Sequence, residues 1–213
     1  MKSNDDIEFK YFFWGPLLFK AKIDKKITDK LLKAGRKATV TAVPDLAGII
    51  EKELYFPENT IKWFEPTIFK ITKGYIKHFT ETWTTQRAAG VDIKSIKLEK
   101  LWINFMRENE YNPRHTHNNC HLSFVLILKM PKLQKERKKY IGNSSGPGAI
   151  EFYYGEPNWF VNNGQSFVPE VGDLYMFPWN LTHVVVPYKT KGERISVSGN
   201  LSLHGSNGRR LYL

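Results

Sequence analysis

GDLYMFPWNLTHVVVPYKTKGERISVSGN, residues 172–200, is the stretch that decides how this chain is read. An aromatic-rich run, DLYMFP (173–178), leads to His183, which opens a second apolar run, HVVVPY (183–188). Eleven residues after His183 come Arg194, Ile195 and Ser196. On a β-strand alternate residues share a face, so Arg194 and Ser196 point one way while Ile195 and Val197 point the other. A guanidinium fork assisted by a hydroxyl suits a carboxylate. A histidine followed by such a pair reads as a metal ligand with an anchor for an anionic co-ligand. The plainer alternative makes Arg194 a surface salt-bridge partner of Glu193, and the apolar neighbours on the opposite face speak against it.

Upstream, HTHNNCH (115–121) gathers three of the six histidines and the only cysteine into seven positions. In an extended strand His115 and His117 project to the same side, so both imidazoles can converge on one ion at about 2 Å. Cys120 reads as a small, partly buried residue beside the next strand. His121 shares the parity of 115 and 117, but a turn intervenes, and contact with a substrate is one reading for it.

Around these segments the chain has two textures. After Gly90 come SIKLEKLWINFM (95–106), LSFVLILKM (122–130), AIEFYY (149–154) and RISVSGNLSL (194–203), which join the two runs above as short β-rich segments separated by turn residues. Six such runs imply an antiparallel sandwich or barrel, with the histidine cluster at its mouth. The first ninety residues read as mostly helical. Asp24 is placed to cap IDKKITDKLLKAG (23–35), with Ile27, Leu31 and Ala34 on one face and Gly35 as the stop. LAGIIEKEL (46–54) reads as a second helix. A longer one begins near Pro66, with Ile68, Ile71, Tyr75, Phe79 and Trp83 as its stripe and His78 on its surface. NSSGPG (143–148) reads as a mobile surface loop. The expectation is one domain, mainly β with a helical N-terminal layer: 1–90 as support, 91–213 as the core.

Composition narrows the classes. Aromatic residues make up 14% of the 213 positions, enough for a substantial core. A single cysteine excludes an internal disulfide framework and any zinc site built on two thiolates. No apolar run reaches the ~20 residues of a membrane helix. The N-terminus, with acidic residues ahead of a short apolar patch and no small-residue cleavage site, does not read as a secretory signal. A soluble, cytoplasmic protein is expected. The formal charge of +11 invites a nucleic-acid partner, but KMPKLQKERKKY (129–140) alone supplies six cations, and no nucleic-acid-binding motif accompanies it. A solvated basic face is the favoured account of that run.

A histidine pair, a distant histidine, and RxS eleven residues on resemble the iron(II)/2-oxoglutarate dioxygenases, whose motif is HxD/E…H…RxS on a double-stranded β-helix (a jelly roll, cupin-like). More narrowly, WINFMRENEYNPRHTHNNCHLSFVLIL, GAIEF, GDLYMFPWNLTHVVVP and ERISVSGN are similar to the 2-oxoglutarate/iron oxygenases related to prolyl 4-hydroxylase. The resemblance spans residues 98 to 201, with a weaker likeness over YFFWGPLLFKAKID (11–24). It implies His115, His117 and His183 as the catalytic metal ligands for Fe(II), and Arg194 with Ser196 as the clamp on the far carboxylate of 2-oxoglutarate. Asn104 and Asn200 match recurrent pocket positions. The implied reaction uses O2 and 2-oxoglutarate, releases succinate and CO2, and hydroxylates a substrate. A prolyl or other peptide residue is the first candidate, and a small molecule remains open.

The chain departs from the pattern at position 117, where histidine stands in place of a carboxylate. Either His117 is the third ligand, the reading adopted, or it stands behind the site and water or another acid fills its place. A three-histidine site carries one negative charge fewer. A cupin without 2-oxoglutarate would use the same histidines, since Gly172, Pro178 and His183 fit its second motif; the RxS pair separates the two. A non-catalytic barrel binding nucleic acid or protein through 129–140 is the other alternative.

Overall fold

The computed structural model describes residues 15–82 and 93–211. Its β-strands form two antiparallel sheets. In chain order the strands are β1 (Phe19–Lys22), β2 (Val40–Thr41), β3 (Glu53–Tyr55), β4 (Ser95–Met106), β5 (Asn112–His115), β6 (Leu122–Lys129), β7 (Ile150–Tyr153), β8 (Gly164–Phe167), β9 (Asp173–Pro178), β10 (Thr182–Val185) and β11 (Arg194–His204). The larger sheet runs β1-β9-β6-β11-β4-β3-β2 and the smaller β5-β10-β7-β8. Three helices accompany them: α1 (Lys25–Gly35), α2 (Glu58–Thr82) and the short α3 (Gln134–Lys138).

The burial pattern explains the layering. From Leu101 to Met106 every residue of β4 is buried, and β6 is buried from Leu122 to Leu128. A strand covered on both faces needs a continuous apolar run, not alternation. One face, carrying Ile103, Phe105, Phe124, Leu126 and Val197, shares a core with Leu31 of α1 and Phe64, Ile68 and Tyr75 of α2. The other, carrying Met106, Val125, Ile127 and Phe177, packs on Ile150, Phe152 and Val185 of the smaller sheet. Each such side chain contributes on the order of 1.5–3 kcal/mol of burial. The result is a two-sheet sandwich of jelly-roll type with α1 and α2 on the outside of the larger sheet.

Several expectations hold. Asp24 caps α1, its side chain accepting a hydrogen bond from the Lys26 N–H at 2.7 Å, worth about 1 kcal/mol. The strands at 95–106 and 173–178 keep their expected bounds. Others do not. The N-terminal region is not purely helical, because β1 to β3 extend both edges of the larger sheet. LAGIIEKEL forms no helix: Ile49 bridges to Tyr111, and β3 pairs with β4. The pairing partners lie far away in sequence, so local spacing could not announce them. Pro66 lies inside α2, which starts at Glu58, and Trp83 falls outside the described residues. Gly35 does not turn the chain into the left-handed region; a Cβ there would collide with Ile103 Cδ1, so its role is to let α1 approach β4. The second half of NSSGPG is tied down, with Gly146 to Gly148 buried and Arg137 donating to the Pro147 carbonyl. No helix among the described residues is long and apolar enough to cross a membrane.

Candidate metal and co-ligand site

Three elements bring the histidines together. His115 ends β5 and His183 lies in β10, directly opposite each other in the ladder that joins these strands. His117 follows in the loop, held by its N–H donating to the Trp179 carbonyl at 2.9 Å. The expected strand face thus ends at His115, and the turn before β10 positions His117 instead. One ligand nitrogen from each of the three lies within 4.8 Å of the others.

The ring tautomers follow from the neighbours. His115 Nδ1 meets the Pro113 carbonyl at 2.7 Å and His183 Nδ1 meets the Leu181 carbonyl at 2.9 Å. A carbonyl oxygen can only accept, so each Nδ1 carries the proton and each Nε2 offers its lone pair. Such fixed outer partners orient metal-binding imidazoles. His117 Nε2 stands 3.3 Å from His183 Nε2, the spacing of two ligands about 2.1 Å from one ion at an angle of roughly 100°. Burial depresses all three. His117 falls to about 3, through desolvation and then the neighbouring His115, and His183 is held well below the usual histidine value by desolvation first. His115 is lowered by desolvation against the raising effect of the Pro113 carbonyl. The rings of Phe177 and Phe152 lie 4.7 Å and 5.9 Å from that of His183, which accounts for its dry setting. Three neutral imidazoles with converging ring nitrogens fit a divalent transition metal. No Asp or Glu among the described residues joins the cluster, so His117 stands where the carboxylate of the expected pattern would be.

The same cavity contains Arg194, Ser196 and Asn104. Arg194 is 2% exposed, and its Nε and Nη2 have no partner. Its Nη1 donates to Ser196 Oγ at 3.4 Å. Desolvation brings its pKa down to about 10, against a raising effect from Tyr188 and Tyr175. A buried guanidinium with unused donors is costly unless a ligand supplies the acceptors, and a carboxylate matches the fork. The surface alternative for Arg194 is excluded, because Glu193 pairs with Arg36 and Lys129. Asn104 Nδ2 donates to Ser196 Oγ and Ser198 Oγ, both at 3.3 Å. Asn200 is not in this cavity wall: it accepts from Ser123 Oγ at 3.0 Å and lines the adjoining groove.

Two residues of the cluster turn out to be structural. His121 Nε2 donates to the Leu211 carbonyl at 2.6 Å while its Nδ1 accepts from the Leu203 N–H at 3.0 Å, which leaves no ring nitrogen for a substrate. Cys120 is buried beside Ser123. The sequence reading missed Tyr188, whose hydroxyl accepts from the Arg194 N–H at 3.0 Å and donates to the Met106 carbonyl. It also missed Asn112, which starts β5 opposite Val185, and the buried Glu53. A polar residue inside an apolar strand was the only available signal, and Glu53 lay in a segment read as helix. In the basic run Glu136 accepts from the Lys189 and Thr190 N–H groups at 2.8 Å. Lys132, Lys135, Lys138 and Lys139 are exposed.

Residues 100–200 match the family model described as "Putative 2OG-Fe(II) oxygenase". No curated protein matches the chain in sequence. Among solved structures, the viral collagen prolyl hydroxylase of Paramecium bursaria Chlorella virus-1, in its 2OG complex, is similar at a TM-score of 0.53 and 14% identity, covering 86% of this chain and 94% of that one. A Pseudomonas putida prolyl-4-hydroxylase is similar at 0.54 and 11% identity, covering 86% and 91%. A Trichoplax adhaerens prolyl hydroxylase, in complex with a hypoxia inducible factor oxygen degradation domain peptide fragment, is similar at 0.53 and 14%, covering 92% and 86%. At these identities the structural likeness establishes the fold.

Proposed function

We propose that this chain, a 2-oxoglutarate/iron(II) oxygenase related to the prolyl 4-hydroxylases, hydroxylates a carbon of a peptide residue, with prolyl the first candidate. Its cofactors are Fe(II) and the co-substrate 2-oxoglutarate, and O2 is the second co-substrate. The observation that carries the reading is the fully desolvated Arg194, with two unpartnered donor nitrogens, in one cavity with three neutral imidazoles. The prolyl hydroxylases that share the fold, one of them held with a peptide fragment, support a peptide substrate.

When bound, Fe(II) and 2-oxoglutarate supply oxygen activation coupled to decarboxylation to succinate and CO2. The chain's residues do the holding and sorting. His115 and His183 present Nε2 lone pairs, fixed in tautomer by the Pro113 and Leu181 carbonyls, and His117 brings its Nε2 to 3.3 Å from that of His183. Arg194 and Ser196 pair with the far carboxylate, and Tyr188 anchors the backbone at the start of β11. Asn104 orients the Ser196 hydroxyl from the next strand. Phe152 and Phe177 exclude water from His183.

A cupin without 2-oxoglutarate would have no use for a buried, half-satisfied guanidinium. The test is anaerobic titration with Fe(II) and 2-oxoglutarate, read by the metal-to-ligand charge-transfer band, followed by succinate release with prolyl peptides. A charge-transfer band that requires Arg194, with peptide-dependent succinate, is the expected result. Absence of the band sinks the oxygenase reading, and a band without any peptide stimulation sinks the peptide substrate.

A further inference from the structure

A groove continues outward from the histidines, with Trp102, Asn112, His117 and Glu53 in its wall. Two cations also line it, each beside an acid: Lys100 pairs with Asp45 at 3.5 Å, and the charge of Arg210 acts on Glu99. Glu53 on β3 stands opposite Asn104 on β4, and Asn104 stands opposite Ser196 on β11. Residues directly opposed in a sheet project to the same face. Ser196, Asn104 and Glu53 therefore form one row across three strands, starting beside Arg194 and ending on a carboxylate.

That carboxylate is anomalous. Glu53 has no exposed surface, and neither of its oxygens has a hydrogen-bond partner. No cation among the described residues pairs with it. Asn104 Oδ1, in the inner cavity with Arg194, and Asn112 Oδ1, which lines both cavity and groove, are also buried acceptors without donors. The inner cavity and the groove, which share Asn112, His115 and His117, together have unused donors at Arg194 and unused acceptors from Asn104 to Glu53. Gly48 packs closely against this carboxylate, since a Cβ there would stand 2.9 Å from Glu53 Oε1.

A buried carboxylate without a partner costs several kcal/mol in its charged form. Arg194 presents the same problem with the opposite sign, and there an anionic ligand answers it. We infer that Glu53 is the recognition group for a positively charged nitrogen of the substrate, a primary ammonium or guanidinium, seated in the groove while the carbon to be oxidised lies at the histidines. This rests on the oxygenase reading and names the charge class of its substrate. A neutral amide would satisfy the asparagine oxygens but leave the carboxylate's charge uncompensated. Burial, with the charge of Glu110 adding to it, raises Glu53 to about 7, so an arriving cation can still draw it into its ionised form near neutral pH.

The test uses full-length protein loaded with Mn(II) and 2-oxoglutarate, titrated calorimetrically with three blocked amino acids: Nα-acetyl-lysine methylamide, Nα-acetyl-arginine methylamide and Nα-acetyl-norleucine methylamide. At least one cationic probe is expected to bind about tenfold or more tightly than the norleucine probe. Glu53→Gln, equal in size, should bring that ratio to within about twofold. Gly48→Ala, which crowds Oε1, should lower the cationic affinity and leave the norleucine probe unaffected. Equal binding or no binding of the probes by the wild type overturns the inference, as does an undiminished preference in both variants. Titration with 2-oxoglutarate alone separates the two readings. Wild type that binds 2-oxoglutarate but shows no cation preference defeats this inference and leaves the oxygenase assignment standing.

Discussion

His115 and His183 are direct cross-strand partners, with ring centroids 4.1 Å apart and both Nδ1–H groups turned back onto the carbonyl two residues earlier. The ladder between β5 and β10 therefore does part of the work of a metal site before any metal arrives. It sets the spacing of two ligands and fixes which nitrogen each one offers.

Removing His183 should abolish metal retention, because the remaining pair includes only one ring of the ladder. Metal analysis of His183→Ala after desalting checks this, and a variant that still holds one equivalent of iron refutes the three-histidine cluster. His117→Ala separates the two readings of that residue. Loss of metal comparable to His183→Ala makes it a ligand, whereas near-normal retention places it behind the site.

Arg194→Ala should weaken 2-oxoglutarate binding by on the order of 2–5 kcal/mol, since one end of the co-substrate would lose its charged partner. The effect on the apoprotein should be much smaller for Arg194→Met, which fills the volume without burying an unpaired charge. Thermal unfolding without ligand, set beside 2-oxoglutarate titration, checks both. A large loss of stability in Arg194→Met with intact co-substrate binding would make Arg194 a structural residue.

Glu53 gives a pH-dependent stability. Its folded-state pKa is raised to about 7 from 4.5, by desolvation first and then by the charge of Glu110. The folded state thus holds a proton that the unfolded chain releases earlier. Below about pH 4.5 the group is neutral in both states and its contribution no longer changes with pH. Between 4.5 and 7 stability falls with rising pH, by on the order of 3 kcal/mol in total. Glu53→Gln should therefore stabilise the apoprotein at pH 8 and have little effect at pH 4. An equal effect at both would show that the carboxylate is solvated.

Gly35→Ala should cost about 1–3 kcal/mol, because the new methyl group meets Ile103 Cδ1 in a fully buried core. Ile103→Val removes that atom, so the double variant should lose less than the sum of the two single losses. Strict additivity in denaturant unfolding would contradict the contact.

How legible each element was depended on where its partners lie. β9 and β4 could be read because strands buried between layers are rich in apolar and aromatic residues, a property of the strand itself. β5 (NPRH) and β8 (GQSF) lie in the smaller sheet and carry no such signature. LAGIIEKEL has apolar spacing that fits a helix, but bridging from Ile49 to Tyr111 and pairing of Glu53 with Asn104 draw it into extended structure. Distant hydrogen-bond partners override local propensity there.

By itself the sequence determined the chemistry on offer: an HxH pair, a distant histidine, and an RxS pair whose alternation turns Arg194 and Ser196 to one face. Periodicity and residue type are local properties, so these could be read without a fold. Only the tertiary structure decided which groups lose water and find no partner. It buried Arg194 away from Glu193, spent both ring nitrogens of His121 on backbone, and left the Glu53 carboxylate unanswered. Desolvation is set by what packs around an atom, and those neighbours come from strands far apart along the chain.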